Sequence, residues 1–251
     1  PKGQRDRWAR RFEDLYRSFV QYYTARGFRV EPLDFPLVAV VFHDRNEFLR
    51  HARSSGANLL AGTLGCYSPV SNRILIYDVT EGRDTNDQLW HINAETIIHE
   101  AAHQSAFNTG IHSRYAMPPR WIVEGLGTSF EAPGVWNQRA HRSRRDRVNQ
   151  DQLANFRSLQ SRRRKGYLAE FISSDRPFTS NTQAAYAEAW SLTFFLVETR
   201  PRDYFDLLKR TAALPAFEPY RAPERLRDFT DVFDEDLDIL EAHYLRFISG
   251  M

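Results

Sequence analysis

The sequence predicts an α+β fold: a small mixed N-terminal sheet, helices around it, and an all-helical C-terminal half. Three observations carry that expectation. Short β-rich runs occur only ahead of residue 80. Beyond residue 87, apolar residues recur at helical spacing. At 251 residues and 42% hydrophobic content, the chain can bury a sizeable core. It is read as a single domain over 1–251, with a sheet-bearing half at 28–134 and a helical half at 135–251.

Residues 6–26 read as the first helix, because Trp8, Phe12, Leu15, Tyr16, Phe19, Val20 and Tyr23 share one face. Gly27 stops it in the C′ position. Residues 37–42 are a β-rich run that suits a buried strand, and Asp44 is placed to cap a helix over 45–52. Ser54, Ser55 and Gly56 break that helix. Residues 64–67 and 73–77 are two further β-like runs. The turn chemistry of Ser68-Pro69-Val70-Ser71-Asn72 between them predicts a hairpin. Residues 80–87 are polar and read as loop, and a helix over 95–107 fades at Asn108-Thr109-Gly110. Pro118-Pro119 opens another helix over 120–131, stopped by Pro133-Gly134. Residues 182–199, 201–212 and 234–248 complete the set as three more helices.

Composition removes several function classes. The 34 basic and 32 acidic residues leave a formal charge of +2, no global argument for binding nucleic acid or membrane. A single cysteine, Cys66, excludes an intrachain disulfide framework. No apolar run approaches the ~20 residues that a spanning helix needs, so no transmembrane segment is expected. No signal peptide is legible, and the start at Pro1 is expected to follow a trimmed targeting segment.

The chemistry concentrates in His99-Glu100-Ala101-Ala102-His103. On a helix, residues four apart lie on one face, so both imidazoles reach a single metal ion. Glu100 reaches a water at that ion from the same side. This H-E-x-x-H arrangement is the working core of zinc peptidases, with the glutamate as general base. Catalytic zinc takes three protein ligands and keeps a fourth position open. The metzincin solution needs Gly three and His six residues after His103, where Ala106 and Thr109 stand. The other common solution is a glutamate on a later helix. Glu124 lies among Trp121, Ile122, Val123 and Leu126, an apolar setting where a carboxylate needs a partner. Glu131, two turns on along the same face, is the alternative ligand.

Several segments together resemble the bacterial DUF1570 proteins. They are Gly65-Cys66-Tyr67-Ser68-Pro69, residues 72–78, His99-Glu100-Ala101-Ala102-His103-Gln104, Arg114-Tyr115, Pro119-Arg120-Trp121-Ile122-Val123-Glu124-Gly125-Leu126 and Tyr186-Ala187-Glu188-Ala189-Trp190-Ser191-Leu192. That family is similar to the peptidase MA family of gluzincins, and the resemblance covers roughly residues 37–200. It implies a thermolysin-like catalytic domain with one zinc ion on His99, His103 and Glu124, and an exported or envelope-associated bacterial protein. It also implies that residues 73–78 are the edge strand beside the cleft, so that Arg73, Ile74, Leu75, Ile76 and Tyr77 receive an extended peptide. In related peptidases a later helix supplies an oxyanion donor, and Tyr186 is the candidate. The sequence departs from thermolysin four residues after the ligand glutamate. There Thr128 replaces the aspartate that orients a zinc-bound histidine, leaving that task to Thr128 or another group.

His112 and Arg114, between the two metal-bearing helices, are expected to face the cleft as substrate-binding residues. Metal ligation by His112 is disfavoured because Glu124 already completes the set. Cys66 reads as a packed residue rather than a nucleophile. The cationic stretch over 139–165 reads as a solvated or acidic-substrate face, and no nucleic-acid partner is expected, since aromatics for base stacking are not interleaved. The expectation is therefore a zinc metallopeptidase with a peptide or protein substrate. A catalytically silent peptide- or protein-binding module on the same scaffold is the alternative.

Overall fold

Three strands make one sheet, ordered β1-β3-β2, with β1 (Val38–Phe42) parallel to β3 (Arg73–Tyr77) and β2 (Gly65–Ser68) antiparallel to it. The computed structural model describes residues 2–55, 62–80, 87–137, 139 and 141–251. The expected break at Gly56 and most of the polar stretch over 80–87 lie outside the described residues. Two parallel strands need a crossover between them. The chain makes it through α2 (Arg45–Ser54), whose first amides Asp44 caps by accepting from Asn46 N and Glu47 N. The 65–77 segment closes as the expected antiparallel hairpin.

The hairpin's position corrects one expectation. β3 is the central strand, hydrogen-bonded on both sides, and Ile74, Leu75 and Ile76 are buried. Arg73, Ile74, Leu75, Ile76 and Tyr77 therefore have no free strand edge to offer a peptide. The continuous apolar run Ile74-Leu75-Ile76 marks a strand covered on both faces, but the pairing of both its edges comes from β1 and β2, which lie elsewhere in the chain. The outer edge on the hairpin side belongs to β2.

Helix α1 (Lys2–Thr24) ends at Gly27, which takes φ 81°, the left-handed turn read from the sequence. It packs on α3 (Asp87–Asn108), which follows the polar stretch and contains the helical run over 95–107. α4 (Arg120–Phe130) follows, and then α5 (Pro133–Trp136). Pro133-Gly134, expected only to stop a helix, also opens this short one, because proline suits the first helical turn. α6 (Gln150–Leu159), α7 (Tyr167–Ser173) and α8 (Pro177–Ser180) lead to α9 (Thr182–Thr199). α10 (Pro201–Ala212), α11 (Ala222–Phe233) and α12 (Leu237–Ser249) finish the helical half. Helices α6, α7 and α11 were not among the expected elements. No helix among the described residues is long and apolar enough to cross a membrane.

The core has two seams. Phe19, Tyr22, Tyr23 and Phe130 stack where α1 meets the end of α4, with Phe19 and Phe130 5.0 Å apart. α9 forms the second seam. It is buried nearly all round from Ala185 to Leu196, as a helix enclosed by others must be. α4 lies tightly against α9: a Cβ on Gly125 would meet the Ala189 carbonyl oxygen at 2.6 Å as well as Thr193 Oγ1. Each large apolar side chain so enclosed contributes about 1.5–3 kcal/mol.

Part of the cationic stretch over 139–165 is paired with carboxylates in the fold. Arg147 donates to both oxygens of Glu198 at 2.9 and 2.8 Å, and Arg144 lies 3.6 Å from the same carboxylate. Arg163 is nearly fully buried between Glu188 and Glu241, while Arg164 pairs with Glu170 at the surface.

Candidate metal centre

Helix α3 is fixed against the sheet before it presents any functional group. Gln104 Nε2 donates to Val38 O at 3.1 Å and to Asn72 O at 3.0 Å. Asn72 holds the hairpin turn at φ 56°, a conformation asparagine tolerates, and it exchanges hydrogen bonds with Asn108 at the end of α3. Arg114 donates to the carbonyls of Pro69 and Val70 and so clamps the same turn.

One turn of α3 apart, His99 and His103 aim their Nε2 atoms at one point. The two nitrogens lie 2.9 Å apart, with the rings nearly perpendicular at 88°. Glu124 arrives from α4, its Oε2 3.5 Å from each Nε2. These three ligand atoms lie within 4.8 Å of one another, a group that can hold a metal ion. The approach requires a glycine: a Cβ on Gly127 would meet His103 Cε1 at 2.7 Å and His99 Cε1 at 2.9 Å.

Glu124 Oε2 is buried and has no hydrogen-bond partner. Its other oxygen accepts from Arg120 Nε at 3.2 Å. Burial alone would raise the Glu124 carboxyl, but His103 and His99 outweigh it and hold it well below its ordinary value. His99 shows the converse: burial would lower it, and Glu124 and Glu131 lift it well above its ordinary value. The pair of shifts describes a site where negative and positive charge must be brought together to be tolerated.

Behind the ligands, His99 Nδ1 sits 2.8 Å from Glu131 Oε1. A carboxylate only accepts, so Nδ1 carries the proton there, and Nε2 is left as the nitrogen that a metal ion would use. Glu131, expected as the alternative ligand, is instead the partner of a ligand. Thr128 does not take that task, because its hydroxyl donates to the Glu124 and Gly125 carbonyls of its own helix.

Glu100 lines an adjoining cavity of about 550 Å³ together with His99, Glu131 and Tyr186. Its Oε2 accepts from Tyr67 N of β2 at 2.6 Å, which ties the carboxylate to the edge of the sheet. The Tyr186 ring lies 6.3 Å from that of His99. Burial, then the nearby charge of Glu124, raise its phenol well above the usual value. Cys66 is likewise pushed up to about 12 by burial and then by Glu100, which leaves it protonated and a poor nucleophile.

His112 and Arg114 line a different cavity, with Phe107 and Glu31, and not the one at the metal centre. His112 is buried against Phe107 at 5.1 Å, and burial, then His103, push its imidazole down to about 3. It is outside the ligand group. Arg114 is committed to the turn carbonyls. Sequence reasoning did not single out Arg120, Asn149 or Gly127 at this site. Arg120 is legible in retrospect, four residues ahead of Glu124 on one helix face. Asn149, which donates to Glu131 Oε2 at 2.7 Å, comes from a segment distant in sequence and carries no local signal.

Comparison with known protein families gives one match, the family described as "Protein of unknown function (DUF1570)", over residues 93–218. That span is half the chain and holds the three ligand residues, Glu100, Glu131 and Tyr186. No curated protein and no solved structure matches.

Proposed function

The chain belongs to the DUF1570 family, and we propose that it is a zinc-dependent metallopeptidase of the gluzincin kind. The observation that carries this reading is the buried convergence of His99 Nε2, His103 Nε2 and the unpartnered Glu124 Oε2, with Glu100 on the same helix. Two nitrogens and one carboxylate oxygen are a donor set for catalytic zinc. Their separations of 2.9 and 3.5 Å bracket the roughly 3.3 Å edge of a tetrahedron built on metal–ligand distances of ~2.0–2.1 Å.

Zinc, when bound, supplies a Lewis acid that polarises a carbonyl and makes water acidic near neutral pH. The side chains do the rest. Glu100 accepts the proton of the attacking water and returns it to the leaving amine. Tyr186 stays neutral at physiological pH, since burial and Glu124 raise it, and donates a hydrogen bond to the developing oxyanion. Arg120 holds the second oxygen of Glu124, which leaves Oε2 for the metal. An extended peptide entering beside Glu100 meets β2 rather than β3.

A second reading, a silent peptide- or protein-binding module, is favoured by one contact: the Glu100 carboxylate is already engaged by the Tyr67 amide. A peptide-library cleavage assay on zinc-loaded protein, with and without chelator, separates the two. Glu100→Gln is expected to retain zinc and lose about 10²–10⁴-fold in hydrolysis. Wild-type activity in that variant overturns the mechanism, and a zinc-loaded wild-type protein that cleaves nothing supports the binding module.

A further inference from the structure

We propose that Asn149 is a positioning residue for the metal centre, coupling the ligand His99 to the first turn of α6 through Glu131. The inference rests on the metal-binding part of the reading above, not on peptide hydrolysis. Asn149 is buried, and both amide N–H donors are used. Nδ2 donates to Glu131 Oε2 at 2.7 Å and to the Thr128 carbonyl at 3.0 Å. Oδ1 accepts from Gln152 N at 3.1 Å and caps α6. One side chain thus joins the C-terminal turn of α4, the carboxylate behind His99, and the N-terminus of α6. The amide cannot rotate without breaking all three bonds.

The consequence for the metal follows from what Glu131 would otherwise do. Its Oε1 bonds His99 Nδ1, and its Oε2 would be free without Asn149. A carboxylate beside a metal position with one free oxygen can swing into the ligand set and close the fourth position, or release the His99 tautomer. With both oxygens engaged, it can do neither. Asn149 therefore keeps Glu131 behind the ligand rather than on the metal, which an open catalytic site requires. The helical half, which supplies none of the three ligands, thereby governs how one of them is held.

Serine and aspartate both preserve an N-cap oxygen while removing the amide donor. With full-length protein stripped of metal, zinc is titrated against a chromophoric chelator, and the visible spectrum of the cobalt-loaded protein reports coordination number. Asn149→Ser and Asn149→Asp are expected to weaken zinc binding about 10–100-fold, with the cobalt spectrum shifted from the wild type and the melting of metal-free protein retained. Glu131→Gln combined with Asn149→Ser is expected to bind zinc no more weakly than Glu131→Gln alone, because the two act through one path. Wild-type zinc affinity in both Asn149 variants, or fully additive losses in the double variant, overturns the coupling. Should one variant not fold, the other carries the same comparison. A wild-type protein that takes up neither zinc nor cobalt overturns the metal reading itself, an outcome distinct from the other two.

Discussion

Buried carboxylates occur in two regions of this molecule, and they are satisfied differently. In the helical half, Glu188 and Glu241 share Arg163, and Glu198 accepts from Arg147 with Arg144 3.6 Å away. Each acid there has a cation from the chain. At the candidate metal centre Glu124 has Arg120 on one oxygen only, and its other oxygen, buried and without a hydrogen-bond partner, faces two imidazoles. A buried polar atom without a partner is costly, so the first arrangement reads as closed and structural, while the second leaves one oxygen open in a group that could hold a metal ion. The difference separates a network that holds helices together from a group that could hold an ion, although both lie against α9.

The sharpest way to break that contrast is at Arg163. Arg163→Met leaves Glu188 and Glu241 buried without their cation and is expected to cost about 3–5 kcal/mol of stability. Urea unfolding measures the loss, and zinc affinity of the folded variant is expected to match the wild type. Metal loss equal to that of a ligand variant would show that the two regions are one.

Gly127→Ala probes the other side. The new methyl group would press on both imidazole rings at 2.7 and 2.9 Å. The expected result is weakened zinc uptake in the chelator titration together with a loss of about 1–3 kcal/mol from overpacking. Undiminished zinc uptake would mean that the rings need not sit where they do. The smallest effect belongs to Arg144, half-exposed and 3.6 Å from a carboxylate that Arg147 already holds. Arg144→Ala is expected to change stability by less than about 1 kcal/mol, and a larger drop in the unfolding midpoint would promote it from surface pair to part of the network.

Much of the fold was legible because local signals were strong. The helix over Thr182–Thr199 is legible to the residue, with Pro201 beyond its end, and in the fold Asn181 caps its start. The Asp44 cap and the 65–77 hairpin were equally plain. Helices α6, α7 and α11 were missed because charged residues interrupt their apolar stripes, and their stability comes from packing on α9 and its neighbours. α6 also depends on an asparagine cap that only one of many asparagines supplies.

For the site, the residue order pointed to the candidate metal-binding group, with Glu131 as the alternative to Glu124. His99 and His103 are held together by helical pitch, a property of the backbone, and Glu124 stands out because an acid inside an apolar helix needs a partner. Strand order lay beyond that reach: β3 became central because β1 pairs with it in parallel, a long-range choice that no local pattern encodes. The partner of His99 lay beyond it too. Thr128 occupies the position where an aspartate stands in thermolysin, and the task passes to Glu131, held in turn by Asn149. Local spacing sets which atoms can meet along one helix, while only the packing of α4, α6 and α9 decides which distant side chain stands behind a ligand.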